Sequence, residues 1–181
     1  MFEKKESFGF VDEIEWVHRD KNGKIINQGR SDTRLNRLLR RLHLKKHRAI
    51  TAVGMANMAG LLLTDVGGTA YDYVAIGTGT GGAVVGDTAL GTQRGVRQHG
   101  TGTRITVTQT NDTAQLVAVF SQAIDATLTG TDQITEVGVF YDAAGVTVSM
   151  LWRQTFAAEP MNWDLGDTLT FTCKTQMKQG T

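Results

Sequence analysis

Thr103-Arg104-Ile105-Thr106-Val107-Thr108-Gln109 alternates polar and apolar side chains with a period of two. Successive side chains of an extended chain point to opposite faces, so this spacing predicts a strand over 103–109 with one face in water. Thr110-Asn111-Asp112-Thr113 supplies a turn, and the strand pattern resumes from Ala114 to Ser121. Outward from this pair, the same signals predict strands near 71–76, 133–140, 146–156 and 167–177. Asp142-Ala143-Ala144-Gly145 and the stretch from Asn162 to Asp167 read as turns between them. Of the 25 threonines, 23 lie at or beyond Thr64, and threonine favours half-exposed strands. Six strands with short connections and no helical crossovers predict a mainly β fold, an antiparallel β-sandwich or Greek-key domain over 65–181.

The chain ahead of that domain divides in two. Over 1–30, Phe8, Phe10, Ile14 and Trp16 alternate with Gly9, Val11, Glu13 and Glu15, and Asn22-Gly23 is a strong hairpin signal. These residues predict an N-terminal β-hairpin that returns through Lys24 to Gln28. Over 31–64, Ser31, Asp32 and Thr33 offer a helix cap, followed by Leu35, Leu38, Leu39 and Leu42 on one stripe of a basic helix. A second helix is predicted from Thr51 to Leu63. It is apolar nearly all round, so it is expected to be buried against a sheet.

Composition narrows the function. The 181 residues are 40% apolar and 20% charged, enough for a core and too balanced for disorder. No apolar run approaches the ~20 residues needed to cross a bilayer, and no charged-then-apolar leader opens the chain. A soluble protein made in the cytoplasm, with no membrane partner, is expected. Cys173 is the single cysteine, which excludes an internal disulfide and a cysteine-rich zinc site. The net charge of +1 conceals a strong asymmetry. Between Asp32 and Asp65 there is no acid, while Arg34, Arg37, Arg40, Arg41, Lys45, Lys46 and Arg48 give +7. The remainder carries 12 basic and 18 acidic groups, or −6, so one end of the molecule should attract an acidic partner or another copy.

The motifs that could carry chemistry fall short of it. Gly77-Thr78-Gly79-Thr80-Gly81-Gly82 spells the dinucleotide-binding glycine pattern after a strand. That pattern needs a helix opening at the loop and an acid about 20 residues on, yet no carboxylate lies between Asp87 and Asp112. A mobile surface loop with no cofactor is the expectation. His18-Arg19-Asp20 resembles a kinase catalytic triplet, but Ile25 stands where an Asn is required, so the hairpin turn explains it better. His43 and His47 are spaced for one helix face, but neighbouring cations disfavour a metal. Cys173, between Thr172 and Lys174, reads as a small packing residue in a strand. No catalytic set can be nominated, and a non-enzymatic protein is expected. The basic helix supplies cations for phosphates, but no aromatic residue lies in 31–70 to stack on bases.

From Ile50 onward the chain resembles a family of tailed-phage virion proteins. The resemblance runs through Ile50-Thr51-Ala52-Val53-Gly54-Met55-Ala56, Tyr73-Val74-Ala75-Ile76-Gly77-Thr78-Gly79, the loop ending Asp87-Thr88-Ala89-Leu90, and Arg97. It continues through Asn111-Asp112-Thr113-Ala114-Gln115-Leu116-Val117-Ala118, Ile134-Thr135-Glu136-Val137-Gly138-Val139-Phe140 and Gly166-Asp167-Thr168-Leu169. The ordered series is similar to the collar-proximal, attachment domain of phage tail-fibre proteins. Gln93 departs from it, standing where many relatives have Glu, and the chain ends at Thr181 where a long fibre would continue into a shaft. The resemblance therefore implies a virion attachment, collar or fibre-base piece rather than a complete fibre.

Together these readings predict a structural protein that forms a homo-oligomer, a trimer, and docks on the neck, tail or baseplate. A capsid decoration or head-fibre base is the alternative within that class, and a DNA-binding or packaging factor is the alternative outside it. Arg34, Arg37, Arg40, Arg41, Lys45, Lys46 and Arg48 are the expected docking residues. Glu136, flanked by apolar residues in a strand, is expected to be structural and paired with Arg97, because an unpaired buried carboxylate is costly.

Overall fold

The computed structural model describes residues 8–30, 48–62, 67–107, 112–143 and 148–179. The strands are β1 (Phe8–Arg19), β2 (Ile25–Arg30), β3 (Arg48–Ile50), β4 (Tyr73–Gly77), β5 (Gln93–His99), β6 (Thr101–Ile105), β7 (Thr113–Phe120), β8 (Thr131–Phe140), β9 (Met150–Asn162) and β10 (Thr168–Gln179). One helix, α1 (Ala52–Leu61), follows β3, and a 3-10 turn at Trp163–Leu165 joins β9 to β10. Two antiparallel sheets of five strands form a β-sandwich, as expected. The first runs β2-β1-β10-β7-β6 and the second β3-β9-β8-β4-β5.

The faces that meet are apolar, and Ile14, from the alternation predicted in β1, is among them. Ile14, Leu116, Phe120, Leu169 and Phe171 from the first sheet pack with Val74, Ile76, Val137, Val139 and Trp152 from the second. At ~25 cal/mol per Å² of apolar surface removed from water, this shared core is the main stabilising term. The Trp152 Nε1–H donates across the sandwich to Thr175 Oγ1 at 3.1 Å, so its single polar atom stays paired in the core.

Several boundaries differ from expectation. The N-terminal hairpin is no separate unit: β1 pairs with β10 along all twelve of its residues, Phe8 opposite Gln179 to Arg19 opposite Thr168. Its turn matches prediction, with Asp20 Oδ1 accepting from the Asn22 and Lys24 N–H groups and Gly23 at φ +81°. β3 and β5 were not anticipated, because three residues are too few for a pattern and Gln93–His99 is too polar. β9 begins later than expected and runs on through Pro160 to Asn162.

The second helix is present, but it is not buried as predicted. Only Gly54 and Gly60 are enclosed, while Met55, Leu61 and Leu62 are 48%, 49% and 83% exposed. Glycine sets this geometry. A Cβ on Gly54 would stand 2.4 Å from the Leu151 carbonyl oxygen, so the helix lies directly against the β9 backbone along that edge. The basic helix expected over 31–47 lies outside the described residues. Arg48, counted with it, begins β3 instead, opposite Gln154.

Candidate functional site

The most developed polar site is on the outer face of the second sheet, under the loop 78–92. A register shift between Ile134 and Glu136 in β8 places it there. Without the shift, strict alternation would put Ile134 and Glu136 on one side. With it, Ile134 joins Val137 and Val139 in the inner core, and Glu136, Gly138 and Phe140 face outward. Leu90 from the loop then covers Ala75, Phe140 and Met150, so this sheet is apolar on both faces near its centre.

Glu136 has no exposure and is the hub of the site. Its Oε1 accepts from the Gly79 N–H at 2.8 Å and the Thr92 N–H at 2.8 Å. Its Oε2 accepts from the Gly91 N–H at 3.0 Å and Arg153 Nε at 2.6 Å. Arg153, on β9 opposite Gly138, spends its other nitrogens on Asp87 Oδ2 at 3.1 Å and the Gly81 carbonyl at 2.9 Å. Asp87 in turn accepts from the Val84 N–H at 2.9 Å. The glycines make this possible: a Cβ on Gly77 or Gly79 would stand 2.5 Å from Glu136 Oε1.

This arrangement accounts for the glycine motif in a way that sequence reasoning missed. The loop is an anion-binding nest of backbone N–H groups, as the dinucleotide pattern requires, but its anion is a carboxylate of the same chain. A carboxylate has about four acceptor positions, and four donors occupy them. The site has no free valence for a phosphate or a metal ion. The loop lies at the surface, as expected, with Val84 and Val85 exposed, but Gly79, Ala83 and Leu90 are buried and Gly79 is bonded to β8 through Glu136 and Thr135.

The predicted Arg97–Glu136 pair is not formed. Glu136 belongs to Arg153, and Arg97 belongs to Asp142, on the same outer face near the other end of the strands. The Arg97 guanidinium lies over the Phe140 ring, 3.7 Å from its centroid, and donates to Asp142 Oδ1 and to Ser149 Oγ at 2.8 Å. Burial lowers the pKa of Arg97, opposed by the Asp142 charge. Both residues of the predicted pair are buried and ion-paired, each with a different partner. Arg153 was overlooked because a single residue on one strand gives no spacing signal toward a carboxylate on the neighbouring strand.

A second buried cluster closes the far end of the sandwich. His18 Nδ1 lies 2.7 Å from Glu159 Oε1, and its Nε2 lies 3.1 Å from Asp167 Oδ2. The second oxygen of Glu159 accepts from Asn27 Nδ2 at 2.6 Å, which fastens β2 to β9. The ligating atoms sit on opposite sides of the imidazole and cannot converge on one metal. No group of three or more metal-ligating side chains occurs among the described residues.

An apolar groove of about 480 Å³ lies at the opposite end, between α1 and the β6-β7-β10 side of the first sheet. Met58, Leu61, Leu116, Leu151 and Met177 line it, with Cys173, itself buried, among the lining residues. Tyr71 stands at this end, its hydroxyl donating to the Gly54 carbonyl at 3.0 Å, and burial pushes its phenol up to about 12. No helix among the described residues is long and apolar enough to cross a membrane.

Of the seven expected docking cations, Arg34, Arg37, Arg40, Arg41, Lys45 and Lys46 lie outside the described residues, and Arg48 is placed by its backbone in β3. No protein family, curated protein or solved structure matches this chain.

Proposed function

We propose that this protein is a non-enzymatic structural component of a tailed-phage particle. It is made in the bacterial cytoplasm, associates with copies of itself as a trimer, and docks on the neck, tail or baseplate. The ordered motif series from Ile50 to Leu169 supports the class of particle. The observation that carries the assembly reading is the contrast between finished and unfinished chemistry on one scaffold. Glu136 with Arg153, Arg97 with Asp142, and His18 with Glu159 are paired with one another inside the fold. The uncharged helix α1, in contrast, turns Met55 and Leu62 to solvent. A sandwich also has open strand edges, which a symmetric ring of copies would cover.

The basic stretch from Arg34 to Arg48 supplies the docking charge, effective over about a Debye length of ~8 Å in physiological salt. The test is a labelled copy located by electron microscopy on particles, beside a variant carrying Arg37→Glu, Arg40→Glu and Arg41→Glu. The wild type is expected at a symmetric site on the neck or tail, and the variant should fold normally but be absent from particles. Label spread over the capsid would favour the decoration reading. Duplex DNA binding with a steep salt slope, lost in the variant, would replace the docking reading with packaging.

A further inference from the structure

Resting on the reading that this chain docks on another protein of the particle, we propose that the outer edge of β6 and the apolar groove beside it take an extended strand of that protein. β6 ends the first sheet, and among the described residues no strand pairs with its outer edge. It runs with β7 in unbroken register, Thr101 opposite Val117 to Ile105 opposite Thr113, and contains no proline. Thr101, Gly102, Thr103 and Arg104 are exposed. Such an edge presents alternate N–H and C=O groups to any strand that aligns with it.

The groove adds a place for apolar side chains. Leu116 and Cys173 line it from the first sheet, and Val139 and Leu151 from the second, each no more than 7% exposed. It therefore opens on the layer between the sheets rather than on an outer face. Gly102, opposite Leu116, lines it as well, and a Cβ there would meet nothing within 4 Å. The segment ahead of β4 is fastened beside it. The Asp72 carbonyl accepts from the Gly100 N–H at 2.8 Å, at the corner where β5 passes into β6. Main-chain bonds to a free edge, with alternate side chains entering a pocket, are how an added strand is recognised.

Charge selects the kind of strand. Arg104 on β6 and Asp72 ahead of β4 both line the groove, and neither is in an ion pair among the described residues. A strand that carries an apolar residue, with an acid and a base at the alternate positions on either side, answers the floor and both charges. A wholly apolar segment would leave both charges unanswered. A second copy of β6 is not that strand, because pairing of an edge with its own copy is a two-fold contact and a ring of three contains none.

Two capped peptides added to the full chain test the proposal by nuclear magnetic resonance. They are Thr-Glu-Thr-Leu-Thr-Lys-Thr for one strand direction and Thr-Lys-Thr-Leu-Thr-Glu-Thr for the other. At millimolar concentration one of them is expected to give saturable shifts at the β6 amides, at Leu116 and at Met177. The same peptide with Asn in place of its Leu should give none. Gly102→Val fills the open space, so it should keep the circular dichroism spectrum and abolish binding. Arg104→Glu should weaken binding about fivefold, the upper end for a cross-strand charge pair, and a peptide with Lys in place of its Glu should restore it. Should Gly102→Val fail to fold, the charge reversal alone decides. Absence of shifts with either peptide, or shifts that survive Gly102→Val, overturns the proposal. An assembly of the free protein that loses mass on Gly102→Val would give the edge to a second copy and overturn it equally. Peptides that fail while labelled protein sits on the neck or tail sink the groove and leave docking standing. A peptide that binds while the protein is absent from particles keeps the strand site and sinks the virion reading.

Discussion

Loop 78–92 and helix α1 both rest on the β9 sheet, and they differ in where their polar and apolar groups go. The loop has no regular structure, yet its N–H groups at Gly79, Gly91 and Thr92 end on one buried carboxylate, and Leu90 fills the apolar face beside it. The helix satisfies its own backbone, yet leaves Met55 and Leu62 in water. Secondary structure is thus no guide to which region is complete. The loop is bound into the fold more thoroughly than the helix, because a buried charge must be fully coordinated while an apolar side chain can wait for a partner.

The largest expected effect comes from breaking the completed side of this comparison. Glu136→Ala leaves buried Arg153 with Asp87 as its one remaining carboxylate and strands the three N–H groups of the nest. A loss of about 3–5 kcal/mol in urea unfolding is expected, the usual cost of removing one partner of a buried pair. Glu136→Gln should cost less, because the amide oxygen still accepts, and neither variant should alter any chemistry. Gly79→Ala comes next. Its Cβ would enter the space of Glu136 Oε1, and a loss of about 1–3 kcal/mol from overpacking is expected by thermal unfolding.

A smaller effect, visible only in acid, is expected at Asp125. Its Oδ2 accepts from the Val96 N–H at 2.6 Å, and its Oδ1 from the Thr127 N–H and hydroxyl at 2.9 and 2.7 Å. Burial works to raise its pKa, but the hydrogen bonds from Thr127 and Val96 outweigh burial and lower it. The native state therefore holds a proton at this carboxyl less readily than the unfolded chain does. Its contribution is complete above the ordinary carboxyl value, about pH 4, and is lost as the pH falls further. Asp125→Asn should flatten that part of the stability–pH curve measured between pH 6 and pH 2. The smallest effect belongs to the unfinished side: Leu62→Ser should change the stability of the single chain by no more than about 0.5 kcal/mol. A large loss there would mean that the helix already has a partner within its own chain.

Much of the fold was legible because it rests on local signals. The Asn22-Gly23 turn and the 162–167 turn each depend on neighbours within a few residues, whereas the strand expected over 103–109 is found at Thr101–Ile105, with Val107 exposed. The helix after Thr51 was legible for the same reason, through its cap and composition. Its exposure was not: apolar content says that a helix has a surface to bury, and not whether the same chain supplies the cover. The site was half legible. Glu136 announced itself as a charge in an apolar strand, but the choice of Arg153 over Arg97 depended on how β8 pairs with β9, whose register shifts between Ile134 and Glu136.

The sequence by itself determined the mainly β class, the hairpin, the capped helix and the need for Glu136 to be neutralised, since strand periodicity, turn chemistry and the cost of a buried charge act at short range. Only the tertiary structure decided which arginine meets that charge, that the glycine loop closes on it, and that α1 stands with its apolar face outward. Those outcomes depend on register between strands far apart in the chain. A shift of one residue reverses every side chain that follows it.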